Sequence, residues 1–302
     1  MARESGISWC DGTWNPGVGC RKVSEGCRDC YMMRDMRRYG RDGRIIHRTS
    51  DTTFRAPLKR RRDGSWAWPD GMDVFTASWS DWWLPEWDAW RADAWEIVRA
   101  RPGIRFLVLS KRPENITAER LPEGWPLPNV LLGVSVENAA HLWRARALRA
   151  AAERWGAAGL FVSAEPLLGS LRADLGALEG IDSFVAGGES GSRARASHPD
   201  WFRELRDYAG ERDRAFHFKQ WGRFAPAEKA LLKDPEKCRG PKRMQWRGPT
   251  VILNADGAQR DGADDAVGTW RVGDQRMVAV GEVRAGRLLD GMLHDERFRR
   301  AA

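Results

Sequence analysis

A chain of 302 residues that is 42% hydrophobic and 30% charged can bury one large α/β core or two ordinary ones, which excludes a disordered polypeptide. No run approaches the roughly 18 consecutive apolar residues of a membrane span, and residues 1–9 carry no apolar signal-peptide stretch, so the expectation is a soluble, cytoplasmic monomer with no membrane partner. The formal net charge of +8 favours contact with a polyanion such as nucleic acid, although a basic surface also serves solubility alone.

The chain opens on a short predicted strand, Ile7-Ser-Trp9, and then on Thr13-Trp-Asn-Pro-Gly-Val-Gly-Cys20, which leads to Cys27-Arg-Asp-Cys30. Five cysteines are too few for a disulfide scaffold of this length, and three of them fall within eleven positions, a pattern of metal or redox chemistry. Three thiolates from one C-x6-C-x2-C loop suit a [4Fe–4S] cluster, capping three irons and leaving the fourth open to a small molecule. Gly17, Gly19 and Gly26 let the backbone approach it. Two alternatives stay open. A zinc site would need Cys10 or a distant His as fourth ligand, and only Cys27 and Cys30 form the short pair such sites favour; or the cysteines bind nothing. Cys10 and Cys238 stand apart from the three.

A helix is expected over Tyr31–Tyr39 and a further strand at Arg44-Ile-Ile46. Arg34, Arg37, Arg38, Arg41 and Arg44, with Lys59-Arg-Arg-Arg62, form a basic edge near the cysteine loop that is either solvated or suited to DNA or RNA phosphates. There follows a series of short apolar runs: Asp73–Ser78, Arg105–Ser110, Val130–Ser135, Gly159–Ser163, Ser183–Gly187 and Ala215–Lys219. They recur about 20–35 residues apart, the length of a βα unit. Continuous apolar strands are buried on both faces, so the fold expected is α/β, a (β/α) barrel or partial barrel of six to eight parallel strands. Helical patterns lie between them at Leu84–Arg99, Ala139–Arg154 and Pro199–Tyr208, the last with Ser197 as its expected N-cap. Trp82, Trp83, Trp87 and Trp90 read as core packing rather than a binding platform. Residues 240–302 change character, rich in Gly and Asp with short strands, and divide the chain into a barrel over 1–239 and a small β-rich appendage or lid over 240–302.

Each apolar run ends in chemically specific polar residues, which a barrel gathers at one mouth. These are Ser80-Asp81, Lys111-Arg-Pro-Glu114, Glu137-Asn138, Glu165-Pro166, Gly188-Glu-Ser190 and Gln220-Trp-Gly222. Lys111 and Arg112 are placed to clamp a carboxylate or phosphate, or else to pair with Glu114, Glu137 or Glu165. Glu165, kept out of helical geometry by Pro166, is a candidate base or hydroxyl ligand. Lys219 entering a barrel interior requires a partner or a function. Lys111, Arg112, Glu165 and Lys219 form the candidate catalytic set; His198 reads as part of a helix start and His217 as a core residue.

Segments spread over nearly the whole chain resemble the phage gene-product-37/68 family: Thr13–Pro16 through Cys30-Tyr31, Ser110–Glu114, Trp125–Asn129, Gly133–Glu137, Ala164–Gly169, Gly187–Gly191, His198–Trp201, Phe218–Gly222 and Gly286–Gly291. That family resembles divergent radical S-adenosylmethionine enzymes. The resemblance implies a partial (β/α) barrel, a cluster held by Cys20, Cys27 and Cys30, S-adenosylmethionine cleaved reductively to a 5′-deoxyadenosyl radical, and a reductant protein as partner. The spacing departs from C-x3-C-x2-C, and Asp29 stands where an aromatic residue precedes the last cysteine, with Tyr31 on its other side as candidate substitute. Gly187, Gly188 and Glu189 resemble the element that holds the methionine amine, and are equally read as a tight turn opening a helix. With Tyr31, Ser135 and Glu137 they make the candidate cofactor-binding set.

The resulting expectation is a radical enzyme acting on a nucleobase, nucleotide or nucleic acid. Its rivals are a metal-stabilised nucleic-acid-binding or regulatory protein without catalysis, and a hydrolase or nuclease holding a divalent metal on Asp81, Glu137, Glu165 and Glu189.

Overall fold

Alternating polar and apolar positions decide which way each strand faces. A computed structural model describes residues 5–227, 249–261 and 271–298; Cys238 and the expected boundary between 1–239 and 240–302 lie outside the described residues. Seven parallel strands form one sheet, curled into a half-barrel: β1 (Gly12–Trp14), β4 (Asp73–Thr76), β5 (Arg105–Ser110), β6 (Val130–Ser135), β7 (Leu160–Ala164), β8 (Ser183–Gly187) and β9 (Ala215–Gln220), in that spatial order. The missing numbers belong to a small antiparallel pair, β2 (Gly17–Val18) with β3 (His47–Arg48).

Val74, Phe106, Val108, Leu132, Val162, Phe184 and Phe216 belong to the core between sheet and helices, whereas Phe75, Leu107, Leu131, Phe161 and Val185 on the same strands line the concave inner face. This is the period-2 alternation of a sheet buried on both sides. Gly133 gives the Phe161 ring its room, since a Cβ there would lie 2.2 Å from Phe161 Cζ. The outer face is covered by α3 (Arg91–Arg99), α4 (Trp143–Trp155) and α5 (Pro199–Glu211), while α1 (Tyr31–Arg38) and α2 (Asp51–Phe54) follow the cysteine loop. α4 stops at Gly156, which takes φ +85 against Pro126.

Ile7–Trp9 is not a strand. It forms a turn whose Trp9 ring plugs the floor of the half-barrel, 4.6 Å from Phe75 and 5.7 Å from Phe298. Arg44–Ile46 is likewise a turn leading into β3, outside the main sheet. The expected helix Leu84–Arg99 breaks at Trp90 (φ −144) into a 3-10 turn, Pro85–Ala89, and α3, and Trp87 and Trp95 on the two pieces both pack on Trp82, at 5.1 and 4.6 Å. Trp82, Trp83 and Trp87 are core residues, as their spacing predicts. Ala139–Arg154 similarly opens with a 3-10 turn, Ala139–His141, before α4. The cap of α5 is His198, whose Nδ1 accepts from Asp200 N at 3.1 Å; Ser197 instead donates to Leu167 O at 2.6 Å.

Beyond β9, β10 (Phe224–Pro226), β11 (Thr250–Asn254), β12 (Gln259–Asp261) and β13 (Asp274–Ala279) form an antiparallel sheet ordered β10-β13-β11-β12. After it come α6 (Glu282–Ala285) and the pair β14 (Leu288–Leu289) with β15 (Met292–Leu293). The small sheet takes β10 from the barrel side, and Leu253, Met277 and Leu289 share the outer core with Phe202 and Phe218. Trp201 Nε1 donates to Ala255 O (2.8 Å) and Trp221 Nε1 to Leu288 O (2.9 Å), tying it to α5 and the end of β9. Among the described residues no helix is long and apolar enough to cross a membrane.

Candidate functional site

Along the inner face the side chains change from apolar to charged toward the C-terminal strand ends, because period-2 spacing carries the Leu107, Leu131 and Phe161 positions forward to Lys111, Ser135 and Glu165. Lys111, Glu137, Glu165, Glu189 and Lys219 therefore share one mouth, and the cysteine loop lies over it.

Glu137 is fully buried at the end of β6. Its carboxylate accepts from Lys111 Nζ (2.6 Å), Arg144 Nη1 of α4 (2.6 Å) and Ser24 Oγ of the cysteine loop (2.6 Å). Burial alone would raise its pKa, but Lys111 and Arg144 outweigh it and hold the carboxyl at about 2. Gly26 lies directly against it; a Cβ there would stand 2.5 Å from Glu137 Oε1. Ser135, buried beside it, accepts at its carbonyl oxygen from Arg144 Nη1 (3.0 Å). Glu137 thus anchors the loop between Cys20 and Cys27 to the barrel.

Asp81 after β4 accepts from Ser110 Oγ (2.7 Å), Lys111 N (3.0 Å) and Arg112 Nη1 (2.9 Å). Arg112, fixed by that pair, donates to Arg21 O (2.6 Å) and lies 3.8 Å from Cys20 Sγ. On the far side of the mouth Lys219 of β9 pairs with Glu165 after β7, over the intervening Gly187 of β8, where a Cβ would lie 3.4 Å from the Glu165 carboxyl carbon. Glu189 is held in a fork by Arg195 (2.8 and 2.6 Å) and accepts from Arg195 N (2.8 Å), while the same guanidinium reaches Glu25 O of the cysteine loop at 3.1 Å. Gly188 is glycine because its position faces the backbone of Trp221: a Cβ would meet Trp221 O at 2.0 Å. This close approach accompanies the register shift between Ala186 and Gly187.

Cys20, Cys27 and Cys30 are free thiols, each partly buried. Gly19 sets the loop's turn with φ +95, where a Cβ would strike Ile45 O at 2.2 Å, and Cys20 N donates to Gly43 O (2.9 Å). Cys27 closes a short 3-10 turn with Ser24 Oγ 3.8 Å from its sulfur, and Cys30 is the N-cap residue of α1. Burial, then the Asp81 charge, pushes the Cys20 thiol up to about 12, with Cys27 and Cys30 adding to the effect. The Arg112 guanidinium beside the sulfur works in the opposite direction and favours the thiolate. Among the described residues no group of three or more His, Cys, Asp or Glu side chains converges as a metal site. The donor types nonetheless suit a sulfur-ligated group: three thiols free of disulfides on one loop, held by weak contacts to Arg21 O and Ser24 Oγ, with a guanidinium directed at the Cys20 sulfur.

Tyr31, an exposed residue at the start of α1, donates its hydroxyl to Ser78 O. Cys10 lies apart, in the inner apolar cluster beneath the mouth, where burial pushes its thiol up to about 11.

Sequence reasoning missed Arg144, Arg195 and Ser24. Nothing in the Arg144-x-Arg146 or Arg193-x-Arg195 repeats distinguishes the inward guanidinium from the outward one. The carboxylates proposed for a divalent metal are each engaged by a cation: Asp81 by Arg112, Glu137 by Lys111 and Arg144, Glu165 by Lys219, Glu189 by Arg195. That leaves little negative charge for a hydrolase-type metal centre.

The fold and site define an α/β half-barrel protein with a cysteine loop seated over a mouth of paired charges. The chain belongs to the protein family of unknown function DUF5131, whose model matches residues 4–297. No curated protein matches it.

Proposed function

We propose that this chain is an iron–sulfur enzyme of radical S-adenosylmethionine type, acting on a nucleobase, nucleotide or nucleic acid at the barrel mouth. One observation supports the reading: the three-cysteine loop is fastened to the charged strand ends by Ser24–Glu137 and Glu25–Arg195, next to the mouth at which a thiol-held group would act. Cys20, Cys27 and Cys30 would hold a [4Fe–4S] group, and when bound it supplies an electron for reductive cleavage of the sulfonium of S-adenosylmethionine.

The chain's own residues do the rest. Arg112 donates toward the Cys20 sulfur and fixes that end of the loop through Asp81. Glu165 and Lys219 offer a carboxylate acceptor and a cation to a polar substrate group, each able to exchange its partner for the ligand. Tyr31, at the start of α1, closes the mouth on the Ser78 side. Glu189 serves through Arg195, as a positioning residue for the loop, and Gly187 with Gly188 supplies backbone close to the mouth. A cytoplasmic monomer served by a reductant protein completes the proposal.

A second reading, a metal-stabilised nucleic-acid-binding protein without catalysis, is favoured by the saturation of the mouth carboxylates by basic partners. The experiment that separates them is incubation of the anaerobically reconstituted chain with dithionite and S-adenosylmethionine. Release of 5′-deoxyadenosine supports the enzyme; a cluster-replete sample that neither binds S-adenosylmethionine by calorimetry nor releases the nucleoside supports the binding protein.

A further inference from the structure

We infer that the substrate of this mouth is a polynucleotide strand rather than a free nucleotide, and that its phosphates run along two basic clefts on the flank of α1. The inference rests on the nucleic-acid part of the function proposed above, and narrows it.

Two clefts flank α1 and share Lys22, Met33 and Arg37. The larger, about 680 Å³, is completed by Arg21, Arg41, Asp42, Gly43 and Arg44. The smaller, about 210 Å³, is completed on one side by Arg28, Asp29, Cys30 and Arg34, and on the other by the Ser190–Arg193 loop that follows β8. It therefore opens directly beside a cysteine of the loop. Between them the walls carry eight cations and two carboxylates, Asp29 and Asp42, and the single apolar side chain of real size besides Cys30 is Met33.

Internal pairing engages Arg21 (with Glu86), Arg34 (with Asp35), Arg44, Arg28 and Arg193, and leaves Lys22, Arg37 and Arg41 as the charge available to a ligand. Asp42 is taken by Arg44 (2.8 Å), and Asp29 by Arg28 (2.8 Å) and Arg193 (2.6 Å). Arg37 and Arg41 have no carboxylate within salt-bridge distance among the described residues, and Lys22 donates only to a backbone carbonyl, Arg28 O (2.8 Å). Exposed guanidinium groups in two connected concave sites match a chain of phosphates, which bidentate donors bind well. One nucleotide would satisfy one cleft and leave the other, whereas a strand spans both. In the rival basic run, Lys59–Arg62, the two central guanidinium groups are engaged locally: Arg60 donates to Gly64 O (2.7 Å) and stacks over Trp66 at 3.7 Å, and Arg61 reaches Ser65 Oγ at 3.3 Å.

The test measures anisotropy of a fluorescein-labelled 20-nucleotide single strand with the full chain, from 50 to 300 mM salt. The slope of log affinity against log salt should be negative and should lose about 1.4 in Arg37→Ala/Arg41→Ala, at roughly 0.7 per single-strand phosphate contact. Arg37→Lys/Arg41→Lys should keep most of the slope, and Arg62→Ala all of it. Absence of binding at 50 mM salt, a slope unmoved by the double alanine variant, equal flattening by Arg62→Ala, or competition by a mononucleotide or polyglutamate as strong as by the unlabelled strand would each overturn it. The measurement does not depend on iron, so its failure and failure of the radical reading are told apart by iron content.

Discussion

Lys111 Nζ and Glu137 Oε1 stand 2.6 Å apart at the ends of neighbouring strands, and the Glu137 carboxylate, which also accepts from Arg144, is the anchor for Ser24 of the cysteine loop. A buried ion pair contributes little net stability beside a packed apolar core, but its location is fixed by the partners it must keep. Here those partners set where the loop sits. The mouth is therefore a network in which barrel and loop depend on the same carboxylate.

Glu137→Ala should destabilise the fold by about 3–5 kcal/mol in denaturant unfolding, because Arg144 and Lys111 lose their counter-charge in a buried site. Glu137→Gln, which preserves shape, should cost less yet still lower iron uptake. Since the folded-state pKa of about 2 lies below the ordinary 4.5, this group stabilises the fold above about pH 4.5, and the contribution is lost as pH falls toward 2. Unchanged unfolding of Glu137→Ala would show that the loop is held by other contacts.

His217 gives a second, separate pH signature. Burial, then the Arg287 charge, lowers its pKa from 6.5 to about 4, with Ser8 Oγ 2.8 Å from Nε2. The unfolded chain binds the proton first, so the stability tied to neutral His217 is full above about pH 6.5 and declines as pH falls toward 4. His217→Gln should flatten the melting temperature over that window. An equally steep decline in the variant would assign the effect to another histidine.

Gly188→Ala should cost about 2 kcal/mol or more, the scale of forced overpacking, because its Cβ would lie 2.0 Å from Trp221 O and only backbone movement relieves it. Gly187→Ala, whose nearest atom is the Glu165 carboxyl carbon at 3.4 Å, should be tolerated far better. Comparable losses in the two variants, measured by thermal unfolding, would contradict this placement of the pair.

Arg195→Ala and Glu189→Ala should each weaken iron binding by about tenfold, as removal of outer-shell support does elsewhere, since Arg195 joins Glu189 to Glu25 O of the loop. Arg203→Ala, whose partners Asp200 and Asp290 lie away from the loop, should leave iron binding close to wild type. Iron titration followed by absorbance checks all three.

The parallel strands were legible because each is a continuous apolar run, and the mouth because each run ends in polar residues of a particular kind. The pairings across it were not. Glu189 can meet Arg193 or Arg195 as far as spacing goes, and only the turn after Gly191 decides between them. Ile7–Trp9 has strand composition but serves as a floor plug, because the open side of the half-barrel leaves Phe75 and Phe161 a large aromatic to cover them. The break at Trp90 answers to packing on Trp82, a tertiary demand that local periodicity does not carry.

The most direct test of the central claim is iron content after anaerobic reconstitution. The account predicts about four irons per chain with a broad visible absorbance shoulder, lost in Cys20→Ala, Cys27→Ala and Cys30→Ala but retained in Cys10→Ala and Cys238→Ala. Stoichiometric zinc with no iron uptake, or iron loading that survives loss of any of the three clustered cysteines, would contradict it.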